Sequence, residues 1–425
     1  MRITIALALY VFLTPVIYAG RPDVANASTE EWRRIYDAGL QASQHQSYED
    51  AISLFLKSWE TAHDDLERGA SATDLAQTHR RLGHSKEAAL WYLRAKEAWS
   101  GVPTERLLTA AITVNLADLD RNSGDYIGAE AVLREGLTAA APQTEARAIV
   151  LNGLADLLRE QGRIAEAAPL FEESAAVPCL SSQYKASALI GLADIDKQNG
   201  RWDSSIARWN AALELARKDG DTVSEAIELR GLADTWLDAG SPSRAEPLLR
   251  RSLRFMESGI SVPKEQVASV HAGLGQLYRS QNKLSLAEEE LSRALEIDRG
   301  ALGETHPQVA WLLEMLSEIY SARGEFELAG EYATRASLIM ANSFGENSMP
   351  VAAALTNRAL IEQRAAHLDA AVKDYERALT IARTHPDHSS IHGAIVERYA
   401  SLLKTMHRGK EAKAAAVEAR SFRLQ

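Results

Sequence analysis

The chain is short of the residues that mark special chemistry or turn-dense folds. It carries one cysteine, Cys179, in 425 residues, which excludes an intrachain disulfide and any cysteine-rich zinc site. Glycine and proline number 25 and 12, below average usage, so turn-dense all-β architecture and low-complexity disorder are both disfavoured. Lys and Arg total 47 against 58 Asp and Glu, a formal charge of −11, and that balance argues against nucleic acid as a ligand. Catalytic motifs are missing too. No G-x-x-x-x-G-K-S/T, H-E-x-x-H, G-x-S-x-G or strand-led G-x-G-x-x-G occurs, so neither an enzyme nor a cofactor is expected.

One long apolar run is present. Arg2 is followed by residues 3–20, which carry no charge, the pattern of an export signal. Cleavage after Ala19 sets Ile17 at a poor −3 position, whereas Ala25-Asn26-Ala27 suits the small-residue rule better. Residues 1–19 are therefore expected to be a signal peptide, with cleavage as late as 27, leaving 28–425 as an exported periplasmic or extracellular protein. The alternatives are an uncleaved membrane anchor, since eighteen residues can just span a bilayer, and a terminal helix packed on the first repeat.

Beyond that run the chain repeats itself. Gly-Leu-Ala-Asp occurs at Gly153, Gly191 and Gly231, and Gly273-Leu274-Gly275-Gln276 is a degraded fourth copy. Twelve residues after the small residue of each tetrapeptide comes a second small residue, and seven further on a third (Ser174, Ala212, Ser252, Ala294). Between them stands a bulky apolar residue: Phe171, Trp209, Leu249 and Leu291. The second small residue marks ten units, centred on Ala51, Ala88, Ala129, Ala167, Ser205, Ala245, Ala287, Ala329, Ala371 and Ala412. Apolar residues recur within a unit at three and four, the period of an amphipathic helix. Glycine occupies the gap between the two stripes at Gly83, Gly124, Gly162, Gly200, Gly240 and Gly324, as helix C-termini favour. Prolines 103, 142, 178, 263, 307, 350 and 386 fall between units. Each unit reads as a helical hairpin that must stack on neighbours to bury its apolar face.

These residues resemble the tetratricopeptide-repeat family, whose pattern pairs Leu-Gly-x-x-Tyr with a later Ala-x-x-x-Phe and a third small residue. Leu274-Gly275 with Tyr278, then Ala287 and Ala294, matches it, and the likeness extends over residues 31–423. It implies an all-α, right-handed superhelical solenoid of about ten antiparallel helix-turn-helix units and a non-enzymatic protein-interaction scaffold. The seventh to ninth units, with 42-residue steps and the loop from Leu302 to Pro307 containing His306, resemble the longer subtype found in kinesin light chains. In the echo of that loop ending at Pro350 the histidine is lost. Pro169 and Pro247, near the starts of second helices, are expected to be tolerated in a first turn and to bend anything earlier. Arg358, where neighbouring units place Leu, is expected to loosen its junction, and the alanine-rich segment from Lys410 to Arg420 suits a terminal cap.

In such a solenoid the first helices line the concave side. There, after the small residue, stand Asp118, Asp156, Asp194 and Asp234, then Gln276 and Glu318, and three residues on come Arg121, Arg159 and Lys197. One reading is a self-neutralising charge ladder on a solvated face, since Asp and Arg at i,i+3 can pair. The other is a polar groove offering carboxylates to a protein or peptide partner. That groove would be sharpest where Asp238 and Arg230 flank Asp234 and where Trp311, Glu314 and Glu318 share a face. Gly153, Gly191, Gly231 and Gly273 cost helix stability, in return for tight packing between first helices or for space for a ligand backbone. His385, His388 and His392 form a small cluster, read as a polar loop rather than a metal site. The alternative function is a membrane-tethered assembly subunit of an envelope complex, contacting the membrane only through an uncleaved N-terminus.

Overall fold

The computed structural model describes residues 27–45, 47–100, 102, 106–122, 125–178, 180–258, 262–384 and 389–423. Residues 1–26, Gly124, Cys179, His385 and His388, and with them the export segment, lie outside the described residues. Among the described residues there are twenty helices and no strand. The first five hairpins pair α1 (Ala27–Gln44) with α2 (Tyr48–Thr61), α3 (Asp65–Arg81) with α4 (Ser85–Ser100), α5 (Arg106–Asn122) with α6 (Tyr126–Ala139), α7 (Glu145–Glu160) with α8 (Ile164–Ala175), and α9 (Ser182–Gln198) with α10 (Trp202–Asp219). The next five pair α11 (Thr222–Asp238) with α12 (Pro242–Glu257), α13 (Lys264–Ser280) with α14 (Leu284–Leu302), α15 (Pro307–Arg323) with α16 (Phe326–Phe344), α17 (Met349–Arg364) with α18 (Leu368–Arg383), and α19 (Ser389–Thr405) with α20 (Gly409–Arg423). Odd-numbered helices are thus the first of each hairpin. The chain divides within α9 into two compact units, one ending at Ile195 and the other beginning at Asp196.

The ten residues that mark the repeat each sit in a second helix, and nine of them have no accessible surface. A small side chain there lets the hairpin partner approach closely, and the bulky residue four positions on fills the space this leaves toward the next hairpin. Two serines at the third small position add a polar tie: Ser174 Oγ donates to the carbonyl of Ala148 and Ser252 Oγ to that of Ala226, both on the hairpin's own first helix. In the second unit one apolar cluster runs from Ala226 to Ala419. The first unit holds two, from Trp32 to Leu119 and from Ala110 to Ile195.

Among the described residues, eight of the turns inside the hairpins share one geometry. Five residues before the marker the backbone is left-handed, at Gly83, Gly162, Gly200, Gly240 and Gly324, as the glycine pattern predicts. Asn282, Ala366 and His407 adopt the same conformation in the units that lack glycine. The next N–H then bonds back five residues, as Glu325 does to Tyr320 and His367 to Glu362, closing the helix end. Turn geometry is therefore set by the hairpin, and glycine only relieves its cost.

Two expectations change in the structure. Pro169 and Pro247 lie inside α8 and α12, which run through them; each stands one turn beyond the position where a proline costs nothing. Arg358 does not leave its junction loose. Its guanidinium makes two 2.6 Å bonds to the Asp374 carboxylate, a bidentate pair that replaces apolar packing with directional contact. In the 42-residue units, His306 Nδ1 accepts from the Gln308 N–H and caps α15, a role no side chain takes at Ser348 before α17.

Glu228 of α11 occupies a register held by Val150, Ala188 and Val270 in other units. It is 3% exposed and its Oε2 has no hydrogen-bond partner. Burial, reinforced by Asp221 and Glu225 and opposed by Arg217, pushes its carboxyl up to about 8. Asp298 of α14 is buried likewise and raised to about 7, with Glu265 adding to the effect. A raised carboxyl stays protonated in the folded chain while its unfolded counterpart ionises, so its contribution to stability is fully present below about pH 4.5 and is lost as pH climbs toward 8. Glu228→Gln is expected to raise the melting temperature at pH 8 and to shrink the difference between pH 5 and pH 8. An unchanged difference in thermal scans would show that this carboxyl is ionised in the fold.

Candidate functional site

The first-helix glycines are packing positions. A Cβ on Gly191 would enter the Phe171 ring, and one on Gly231 the Trp209 ring, the bulky residues of the preceding hairpin's second helix. At Gly273 it would stand 2.9 Å from Leu249 Cδ2, and at Gly153 2.9 Å from Val114 Cγ2 and 3.2 Å from Leu133 Cδ2. The space beside these backbones is therefore filled by the chain's own side chains. A neighbouring first helix shares in the contact at Gly153, through Val114, and at Gly273, where Asp234 Oδ1 stands at 3.8 Å.

The charge ladder is internally paired. In the first unit Arg121 lies 3.1 Å from Asp118 on α5 and 3.2 Å from Glu160 on α7. Arg159, 5% exposed, lies 2.9 Å from Asp156 and 3.7 Å from Asp194 on α9. Each arginine thus joins a carboxylate on its own helix to one on the next first helix. Burial nonetheless raises Asp118 and Glu160, against the pull of Arg121. In the second unit Arg230 Nη1 bonds Asp234 at 2.9 Å, while Lys197 and Asp238 are engaged by neighbouring groups. Glu160 is the member that the sequence pattern missed. It stands 39 residues from Arg121, one repeat step, and that spacing was the available signal.

Farther along the second unit the face changes sign. Trp311 is half-buried against the core. Glu314 is largely buried with Oε1 unpartnered, and desolvation lifts its carboxyl to about 7. Glu318 is ion-paired with Arg279 of α13. Beside that pair opens a cleft of about 330 Å³, whose polar lining is Arg279, Glu318, Ser321, Asn357, Arg364 and Arg398. Leu360 and Ile361 supply an apolar wall. Four successive first helices, α13, α15, α17 and α19, thus contribute to one concavity. Of the ladder and groove residues named from sequence, only Glu318 lines it. His392 is buried near Glu418, and among the described residues no group of three or more His, Cys, Asp or Glu side chains could hold a metal. No helix among them is long and apolar enough to cross a membrane.

Removing Arg159 would leave Asp156 and Asp194 facing one another without their shared cation. Arg159→Met is expected to lower the unfolding free energy by about 2–3 kcal/mol, at the low end for a broken buried pair because Asp156 is partly solvated. A loss in urea titration no larger than that of an exposed pair, below about 1 kcal/mol, would contradict the ladder's structural role.

Comparisons with known proteins agree with this architecture. The family model for the tetratricopeptide repeat matches residues 108–178, 184–258, 266–337 and 316–384. No curated protein matches the chain. Among solved structures, a Rap protein complexed with competence and sporulation factor aligns with a TM-score of 0.57 at 12% identity, covering 84% of this chain and 98% of that one. BtubC from P. vanneervenii gives 0.47 at 22% identity, over 52% of this chain and 91% of its own. A kinesin light chain repeat protein from Podosopora anserina gives 0.40 at 18%, over 48% and 97%. The Rap likeness carries the fold alone, and the family matches span more than half of the sequence: the chain belongs to the tetratricopeptide-repeat family.

Proposed function

We propose that this protein is a non-enzymatic interaction scaffold that holds a peptide or protein surface along its first-helix face, the concave side expected for such repeats. The observation that carries the reading is the cleft over α13, α15, α17 and α19. Side chains from four separate hairpins converge there, although nothing in the packing of a single hairpin requires it. A partner lying across the repeats would meet Arg230 and Asp234 first, then Trp311, Glu314 and Glu318, then the cleft. In the first unit Asp118, Arg121, Asp156, Arg159 and Asp194 would form a stiff polar wall whose charges are already partnered. The Rap protein of similar fold is complexed with competence and sporulation factor, which is consistent with a ligand-holding use of the architecture. The apolar run at residues 3–20 supports delivery out of the cytoplasm with residues 1–19 or 1–27 removed.

A photo-crosslinking residue tests which face meets the partner. Placed at Trp311 or Glu318, it is expected to trap a specific partner in the native host. Placed at Leu286 or Leu338, both exposed on second helices, it is expected to trap none. Crosslinks confined to the second-helix positions would overturn the reading. The intact mass of the recovered bait checks export: the full-length mass in the membrane fraction would favour the tethered assembly subunit instead.

A further inference from the structure

The turn inside a hairpin also sets two side chains beside one another. Its backbone bond joins the residues nine and four positions before the marker, as from the Arg201 N–H to the Asp196 carbonyl and from the His367 N–H to that of Glu362. Their side chains then meet. Arg201 Nε bonds Asp196 at 2.8 Å, and His367 Nδ1 stands 2.8 Å from a Glu362 oxygen, so both pairs are complementary. Asp120 and Asp125 share this register too, but Asp125 accepts from the Gly128 N–H and caps α6.

The second hairpin places two imidazoles there. His79, half-buried in the last turn of α3, and His84, exposed ahead of α4, are tied by a 2.9 Å bond from the His84 N–H to the His79 carbonyl, across the left-handed Gly83. Their Nδ1 atoms face one another at 3.4 Å, with ring centres 5.6 Å apart. That separation is long for a bond from an N–H donor, usually about 2.7–3.2 Å. It matches the edge of a tetrahedron around Zn²⁺, since two Zn–N bonds of about 2.0–2.1 Å set their nitrogens about 3.3–3.4 Å apart. A square-planar cation with bonds of similar length would need about 2.9 Å.

A ligating imidazole must be neutral. Burial, with His84 beside it, holds His79 below the usual histidine range, and Glu87 of α4 and Glu49 of α2 oppose that shift. The same two negative charges attract a cation. Among the described residues no group of three or more His, Cys, Asp or Glu side chains could hold a metal, so the pair supplies two positions of four and water the others. We infer that His79 and His84 form a two-histidine Zn²⁺ site at the turn of the second hairpin, with Nδ1 of each as ligand. The turn bond fixes both residues before any ion arrives. Open positions distinguish the site from a closed structural zinc and leave the ion able to take a further ligand. Nothing in this depends on the first-helix groove.

The test is a calorimetric titration of the full chain with Zn²⁺ near neutral pH, in a buffer that does not chelate. His84→Gln, at an exposed position, is expected to weaken binding at least about ten-fold, with the zinc-free melting temperature unchanged. His79→Gln should weaken it similarly. A His385→Gln/His388→Gln chain, altered in the other histidine cluster of the sequence, should keep the site. Co²⁺ loaded in place of zinc should give the strong visible absorption of a tetrahedral ion, and His84→Gln should abolish that absorption. Absence of zinc binding would overturn the inference, as would the weak spectrum of octahedral cobalt. So would an affinity unchanged by both His79→Gln and His84→Gln, with or without loss in the His385→Gln/His388→Gln chain.

Discussion

One contact recurs from hairpin to hairpin and the rest of the structure depends on it. A bulky side chain from a second helix is seated on a residue without a side chain in the next first helix: Phe171 on Gly191, Trp209 on Gly231, Leu249 on Gly273. The glycine lowers helix propensity by about 1 kcal/mol, and the seated ring or branched chain offsets that by burying its surface at close-packed density. Stability in such an array is a sum of hairpin and neighbour terms. The interlock is the neighbour term, and it also brings first helices near enough for their polar residues to meet.

The ion pairs are a consequence of that approach. Arg121 reaches Glu160 and Arg159 reaches Asp194 because adjacent first helices stand one repeat apart at fixed separation. The 42-residue units extend the same logic to their loops. Glu304, in the loop after α14, is gripped by Arg335 of α16, and Asn347, in the loop after α16, accepts from Arg377 of α18 at 2.8 Å. The arginine stands six residues after the marker in both hairpins, so the longer loop is anchored by the following unit. Where a carboxyl is buried without such a partner, as at Glu228 and Glu314, desolvation raises it, to about 8 and about 7 respectively.

Much of the fold was legible because it is written in residue size at fixed spacing. Marker positions, bulky residues and turn glycines fall where the repeat places them, since small, large and flexible residues are rarely interchangeable at such sites. Asn282, Ala366 and His407 were less visible, because the left-handed turn persists without the residue that announces it. The polar face was harder to read. An Asp followed three residues later by Arg suggests a pair, but not that the same arginine bridges to the next repeat. Arg358 looked like a defect until Asp374, sixteen residues away on the hairpin's second helix, supplied its partner. The cleft escaped for the same reason: Arg279, Ser321, Asn357, Arg364 and Arg398 share no motif and come together only once four hairpins are stacked.

The interlock is tested most directly by hydrogen exchange on Gly191→Ala, which forces a methyl group into the Phe171 ring. Stacking by neighbour terms predicts faster exchange in α7 to α10, with α1 to α4 and α15 to α20 keeping their protection, and recovery when Phe171→Leu is added. Protection unchanged in α7 to α10 would contradict the account, since the glycine would then be dispensable to the packing it is held to permit.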